Sequence, residues 1–131
     1  MEKTEVKRFD VQKPNMVREI QKWLAEFRDA WKSSNIDSVM TLFTDDVVYY
    51  ETPSKKLESK KELKEEWKAV REQKNVSLDF EVFSQDKGKF TVQWSLSYQL
   101  GGQKKDLKGV YLIKLNENNK CSEFWQYCQN E

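Results

Sequence analysis

The chain has 131 residues, a length that fits a single domain with one substantial hydrophobic core. Its 23 basic and 22 acidic side chains leave a formal net charge of +1, so it lacks the basic surface that nucleic-acid binding requires. The sequence contains no histidine, which excludes imidazole as a general base and removes the commonest ligand of transition metals.

The N-terminal segment is polar, charged and followed by a proline. We predict a polar arm over residues 1–14 and a single domain over residues 15–131. The arm lacks the apolar run of a signal peptide, and no later segment reaches the length of a membrane span. We therefore expect a cytoplasmic protein that has no membrane partner.

Apolar spacing predicts three helices before most of the sheet. The first helix starts at Asn15 and carries a wide apolar stripe that includes Phe27 and Trp31. Asn35 is predicted to cap a short second helix, which ends at Thr44-Asp45-Asp46 because these side chains compete for backbone hydrogen bonds. A strand over Val47 to Thr52 is expected next.

Ser59 and Glu62 have the spacing of a capping box, so a third helix is predicted from there to about Lys74. Strict alternation of apolar and polar residues then predicts four consecutive antiparallel strands. Their expected ranges are Val76 to Val82, Phe90 to Leu100, Leu107 to Leu115 and Cys121 to Gln129. Helices that cover one apolar face of such a meander indicate the α+β class.

The first helix ending in tryptophan, the LFTDDVVYY segment and the final EFWQY strand resemble the nuclear transport factor 2-like (NTF2-like) superfamily. Its SnoaL-like and ketosteroid isomerase-like branches are the most similar. The resemblance covers nearly the whole chain from about Met16. It implies a cone-shaped α+β fold, with three N-terminal helices packed on a curved antiparallel sheet around a cavity.

The same resemblance singles out Glu51 and Tyr111. Glu51 matches the proton-abstracting aspartate of the isomerases, and Tyr111 matches one of their two oxyanion donors. The other donor position holds Phe27, which has no hydroxyl group. For Glu51, a surface acid paired with a lysine such as Lys55, a ligand-orienting group and a catalytic base remain open.

We expect aromatic and apolar side chains to line the cavity of this cone. The register that the resemblance implies, together with the aromatic content, gives the expected ligand-binding residues, which are Phe27, Trp31, Tyr49, Trp67, Trp94, Leu96, Tyr98, Ile113, Phe124, Gln126 and Cys128. Two adjacent acids at positions 45 and 46 are interpreted as caps rather than as a cation site, so no metal and no cofactor are expected.

Three functional hypotheses follow. The leading hypothesis is a protein whose apolar pocket binds a small molecule, and this class of ligand includes cyclic molecules. The alternatives are an isomerase or cyclase with Glu51 as general base and Tyr111 as hydrogen-bond donor, and a non-catalytic dimerisation module. The resemblance also implies a homodimer that forms through the polar sheet face, which carries Thr91, Gln93, Ser95, Ser97 and Gln99.

Overall fold

The computed structural model describes residues 14–130, and the predicted polar arm, apart from Pro14, lies outside them. Three α-helices precede most of the sheet, and a 3₁₀ turn follows the last helix. Their bounds are α1 Pro14–Lys32, α2 Ile36–Met40, α3 Lys60–Trp67 and the 3₁₀ turn Lys68–Glu72. No helix among the described residues is long and apolar enough to cross a membrane.

Both predicted helix caps are confirmed. The side chain of Asn35 accepts a hydrogen bond from the backbone N–H of Ser38 at 3.1 Å. The Ser59 hydroxyl accepts one from the N–H of Glu62 at 3.2 Å. The Glu62 carboxylate accepts from the N–H of Glu58 at 3.0 Å, so the reciprocal bond of this capping box falls one residue earlier than in the usual pattern.

The strands form one six-stranded sheet in the order β2-β1-β6-β5-β4-β3. Their bounds are β1 Phe43–Thr52, β2 Lys55–Leu57, β3 Lys74–Asp86, β4 Lys89–Leu100, β5 Gln103–Leu115 and β6 Cys121–Asn130. The four predicted meander strands are confirmed as β3 to β6. Strands β4 and β6 are each one residue longer than predicted, β5 is four residues longer and β3 is six residues longer.

Four details differ from the prediction. The second helix ends at Met40, and Thr44-Asp45-Asp46 lie inside β1, where the register against β6 is irregular. Strand β1 pairs with β6 in parallel rather than antiparallel fashion. Strand β2 was not predicted, and it lengthens the sheet beyond β1. The α-helical part of the third helix ends at Trp67, because a 3₁₀ turn takes over.

Aromatic rings dominate the core between the helices and the sheet. The Phe27 ring on α1 lies 5.0 Å from Trp23 and 5.5 Å from Trp67, measured between ring centroids. The indole N–H of Trp23 donates to the carbonyl oxygen of Leu42 at 3.0 Å, which ties α1 to the start of β1. Every buried residue in this part of the chain is hydrophobic, so helices and sheet are held together mainly by apolar burial.

Candidate functional site

A cavity of about 280 Å³ lies where α1, α3 and the 3₁₀ turn meet the inner face of the sheet. Helical segments supply one wall, and strands β1, β4, β5 and β6 supply the other. The lining residues are Trp31, Tyr49, Glu51, Glu66, Trp67, Ala69, Val70, Gln73, Trp94, Leu96, Tyr98, Leu107 and Gln126.

Alternation along β1 brings Glu51 into the cavity wall. Val47 and Tyr49 are buried on the inner side, and Glu51 continues the same face at the end of the strand. Its carboxylate pairs with the ammonium group of Lys55 at 2.9 Å, and its side chain is 34% exposed. Glu51 is therefore both a surface acid with a lysine partner and a residue of the cavity wall.

Lys55 also reaches the Glu66 carboxylate at 3.1 Å. Its hydrogen bonds to Glu51, and then to Glu66, raise the pKa of the Lys55 ammonium group. One lysine thus joins the end of β1 to helix α3 across the edge of the cavity. Because Lys55 and both carboxylates are partly exposed, water and salt screen the two ion pairs, which contribute little to global stability.

Two tryptophans form a corner in the helical wall. The rings of Trp31 and Trp67 are 4.8 Å apart and nearly perpendicular, at 76°. The Trp31 indole N–H donates to the side-chain oxygen of Gln73 at 2.8 Å, which fixes the ring. Nearby, burial raises the pKa of the Tyr49 phenol, and a hydrogen bond with Trp67 opposes that shift. Tyr49 is therefore a neutral phenol at physiological pH.

Trp94 and Tyr111 carry polar atoms that lack partners. Their rings stack with centroids 5.1 Å apart. In the described part of the chain, Trp94 Nε1 and Tyr111 Oη are buried without a hydrogen-bond partner. Burial raises the pKa of the Tyr111 phenol well above its ordinary value, so it keeps its proton. Each unsatisfied donor costs about 1–3 kcal/mol of desolvation, a cost that a ligand acceptor within reach of it would recover.

The structure brings most of the predicted site residues together. Glu51 lies in the cavity wall with seven of the predicted ligand-binding residues, which are Trp31, Tyr49, Trp67, Trp94, Leu96, Tyr98 and Gln126. Tyr111 does not line the cavity, because it lies fully buried against the face of Trp94.

Four other predicted ligand-binding residues are placed elsewhere. Phe27 has no exposed surface, since other aromatic rings surround it in the core. Phe124 is also fully buried and stacks on Tyr49 at 4.6 Å. Ile113 borders a groove outside the cavity. Cys128 is exposed near the end of β6.

Five lining residues were not predicted from the sequence, namely Glu66, Ala69, Val70, Gln73 and Leu107. Leu107 pairs with Leu96 across β4 and β5, so alternation extended to the start of β5 would have found it. Glu66 immediately precedes Trp67 on α3. No local pattern points to Gln73, because its position depends on where the 3₁₀ turn ends.

A larger groove, of about 450 Å³, lies at the end of the sheet near the β3–β4 turn. It is bordered by Trp125 and Leu112, together with charged side chains such as Lys114 and Glu123. The helices do not contribute to it, so it lacks the two-sided enclosure of the smaller cavity. We take the smaller cavity as the candidate site, because it lies between the helices and the sheet and contains Glu51 together with seven of the predicted ligand-binding residues.

No group of three or more Cys, Asp or Glu side chains between residues 14 and 130 is arranged to hold a metal ion. Both cysteines are free thiols.

The family model of the SnoaL-like domain matches residues 24–124. Among curated proteins, none matches the sequence significantly. An NTF2-like protein of unknown function from Exiguobacterium sp. 255-15 is 14% identical, with a TM-score of 0.70 over 82% of this chain and 98% of that one.

Two further solved structures share the fold. A putative polyketide cyclase from Xanthomonas campestris pv. campestris is 11% identical, with a TM-score of 0.71 over 84% of this chain and 90% of that one. An LEH-like epoxide hydrolase from Mycobacterium tuberculosis is also 11% identical, with a TM-score of 0.68 over 86% of this chain and 84% of that one. At these identities the likeness concerns the fold alone.

Proposed function

Because the chain belongs to the SnoaL-like domain family of the NTF2-like superfamily, we propose that it binds a small, largely apolar molecule with one ring. The observation that carries this proposal is the cavity of about 280 Å³ between Trp31, Trp67 and Trp94. Ligand pockets usually measure about 300–1,000 Å³, so this one suits a single ring with few substituents.

Trp94 supports the proposal with a polar contact. Its indole Nε1 is buried without a partner, and its ring lies in a wall that mixes aromatic and aliphatic side chains with polar ones such as Gln73 and Gln126. A ligand oxygen that accepts from this N–H group would be oriented in the cavity, with its ring against the aromatic faces. Cyclohexanone has this chemistry, since it combines a saturated ring with one carbonyl acceptor.

We expect calorimetry to show saturable binding of cyclohexanone with one site per chain. Replacing Leu107 by tryptophan should weaken this binding by at least about tenfold, because the larger side chain fills the space that the ligand needs. Leu112→Trp is the matched control, since Leu112 lies on the same strand with its side chain outside the cavity.

Leu112→Trp should bind cyclohexanone as tightly as the parent chain does. Equal binding by the Leu107 variant, or equal loss in both variants, would mean that the ligand does not occupy this cavity.

Glu51 favours a second candidate, an isomerase- or cyclase-type enzyme. Its carboxylate lies in the cavity wall, and the structural neighbours include a putative polyketide cyclase and an LEH-like epoxide hydrolase. In this candidate Glu51 removes a proton from the carbon next to a carbonyl group. Tyr111, the donor expected from the sequence, does not line the cavity, so the hydrogen bond to the oxygen that becomes negative comes from Trp94.

This second candidate predicts catalysed exchange of the α-hydrogens of cyclohexanone in D₂O. Glu51 accepts the proton, and deuterium from the solvent-exchanged carboxyl group returns to the same carbon. Glu51→Gln should abolish the catalysed exchange, and Tyr111→Phe should leave most of it, because the Tyr111 side chain does not line the cavity. NMR measures the rate, and exchange that persists in Glu51→Gln rejects Glu51 as the base.

We also propose a homodimer that forms through the outer sheet face, in a cytoplasmic setting. Besides the short polar side chains of β4, this face carries stacked rings of Tyr50 and Trp125, with Tyr127 beside them. A module that only dimerises has weaker support, because the tryptophans line an open cavity and do not fill it.

A further inference from the structure

The charge around the cavity is one-sided. Among the lining residues that the structure describes, Glu51 and Glu66 are acidic and none is basic. The cation that neutralises them, Lys55, does not line the cavity and approaches the two carboxylates from β2 at 2.9 and 3.1 Å. One lysine shared between two carboxylates leaves the edge of the cavity with a net negative charge.

An aromatic corner lies beside Glu66 in the helical wall of the cavity, and Glu51, in the sheet wall, is joined to Glu66 through Lys55. Trp67 follows Glu66 on α3, and Trp31 meets it edge to face at 4.8 Å. The face of an indole ring attracts cations, and the interaction is worth about 0.5–1 kcal/mol at exposed sites and more in desolvated ones. Carboxylates next to an aromatic corner are the groups that bind organic ammonium ions.

We propose that the ligand carries an ammonium group, which is held between the Glu51 and Glu66 carboxylates and the corner formed by Trp31 and Trp67. Its apolar body then points towards Leu96 and Leu107 in the cavity. This inference rests on the proposed function, because it assigns the ligand class of the same cavity. In this inference the ammonium group of Lys55 and that of the ligand compete for the same two carboxylates.

Lys55 can either hold the edge of the cavity together or compete with an ammonium ligand, and these two roles predict different effects of its replacement. If the lysine only fastens β2 to α3, then Lys55→Met loosens the edge of the cavity and weakens the binding of every ligand. If Lys55 competes with the ligand for the carboxylates, the same variant binds an ammonium ligand more tightly and a neutral one equally well.

Choline and 3,3-dimethylbutan-1-ol are suitable probes, because they have the same shape and differ in the charge of the trimethyl head. We expect calorimetry to show choline binding about tenfold more tightly than the alcohol at low salt. Glu51→Gln and Glu66→Gln should each weaken choline binding about threefold or more and leave the alcohol unaffected.

Lys55→Met should strengthen choline binding about threefold. Glu65→Gln is the matched control, because Glu65 precedes Glu66 on α3 but pairs with Lys68 and does not line the cavity. It should bind both probes as the parent chain does.

Equal affinity for choline and the alcohol would overturn the inference, as would a choline preference that survives in the Glu51→Gln, Glu66→Gln double variant. If cyclohexanone binds and choline does not, the inference also fails, while the proposed function stands. If none of the three probes binds, both fail.

Discussion

Phe27→Ala is expected to lower the free energy of unfolding by about 3–5 kcal/mol, the usual cost of removing a large aromatic side chain from a core. Phe27 has no exposed surface and occupies the middle of the aromatic cluster. Its ring contacts those of Trp23, Trp31, Phe43, Trp67, Phe80, Tyr111 and Phe124. A cavity at this point removes contacts from both helices and sheet, so the surroundings collapse only partly.

Urea denaturation measures the loss, and Phe83→Ala is the matched control. Phe83 is 72% exposed on β3, so its removal should change the free energy of unfolding by no more than about 0.5 kcal/mol. If the two variants lost similar amounts of stability, Phe27 would not lie at the centre of the aromatic cluster.

Gly109→Ala is expected to cost about 3 kcal/mol or more, because added atoms in a packed region force the backbone to move. Gly109 lies on β5 opposite Cys128 of β6. A Cβ atom here would overlap the carbonyl oxygen of Tyr127, and it would lie 2.9 Å from the carbonyl carbon and 3.0 Å from the Cα atom of Cys128. The obstacle is backbone, which cannot rotate away as a side chain would.

Gly101→Ala provides the comparison for this variant. A Cβ atom at Gly101 meets nothing within 4 Å, and the only penalty comes from its positive φ of 58°. That penalty is about 1 kcal/mol. Chemical denaturation of both variants should therefore show the larger loss at Gly109, and a smaller loss there would mean that β6 does not approach β5 so closely.

Local signals predict much of this fold from sequence. The caps at Asn35 and Ser59 are confirmed, because a cap depends on residues three positions apart. The long strand Lys89–Leu100 is confirmed, because its alternation is unbroken. The parallel pairing of β1 with β6 is not predictable in this way, since it joins segments about half the chain apart and leaves no local pattern.

For the candidate site too, local patterns predict only part of the arrangement. Alternation puts Tyr49 and Glu51 on the inner face, and both lie in the cavity wall. It does not tell how deep a side chain lies, which depends on how the sheet curves around the helices. Phe27 and Trp31 share one stripe of α1, yet Phe27 is enclosed by the core and Trp31 reaches the cavity.

The five tryptophans provide the most direct test of the proposed ligand site. Trp31, Trp67 and Trp94 line the cavity. Trp23 is buried with its N–H bonded to Leu42, and Trp125 lies on the outer face with its N–H bonded to Glu123. The NMR signals of the indole N–H groups therefore report separately on the cavity and on the rest of the molecule.

When cyclohexanone is titrated into the protein, the three cavity signals should shift with one dissociation constant. Trp94 should shift most, because its unpartnered N–H gains an acceptor. The signals of Trp23 and Trp125 should stay in place. Cavity signals that do not move, or a saturable shift confined to Trp125 in the outer groove, would contradict the assignment of this cavity as the ligand site.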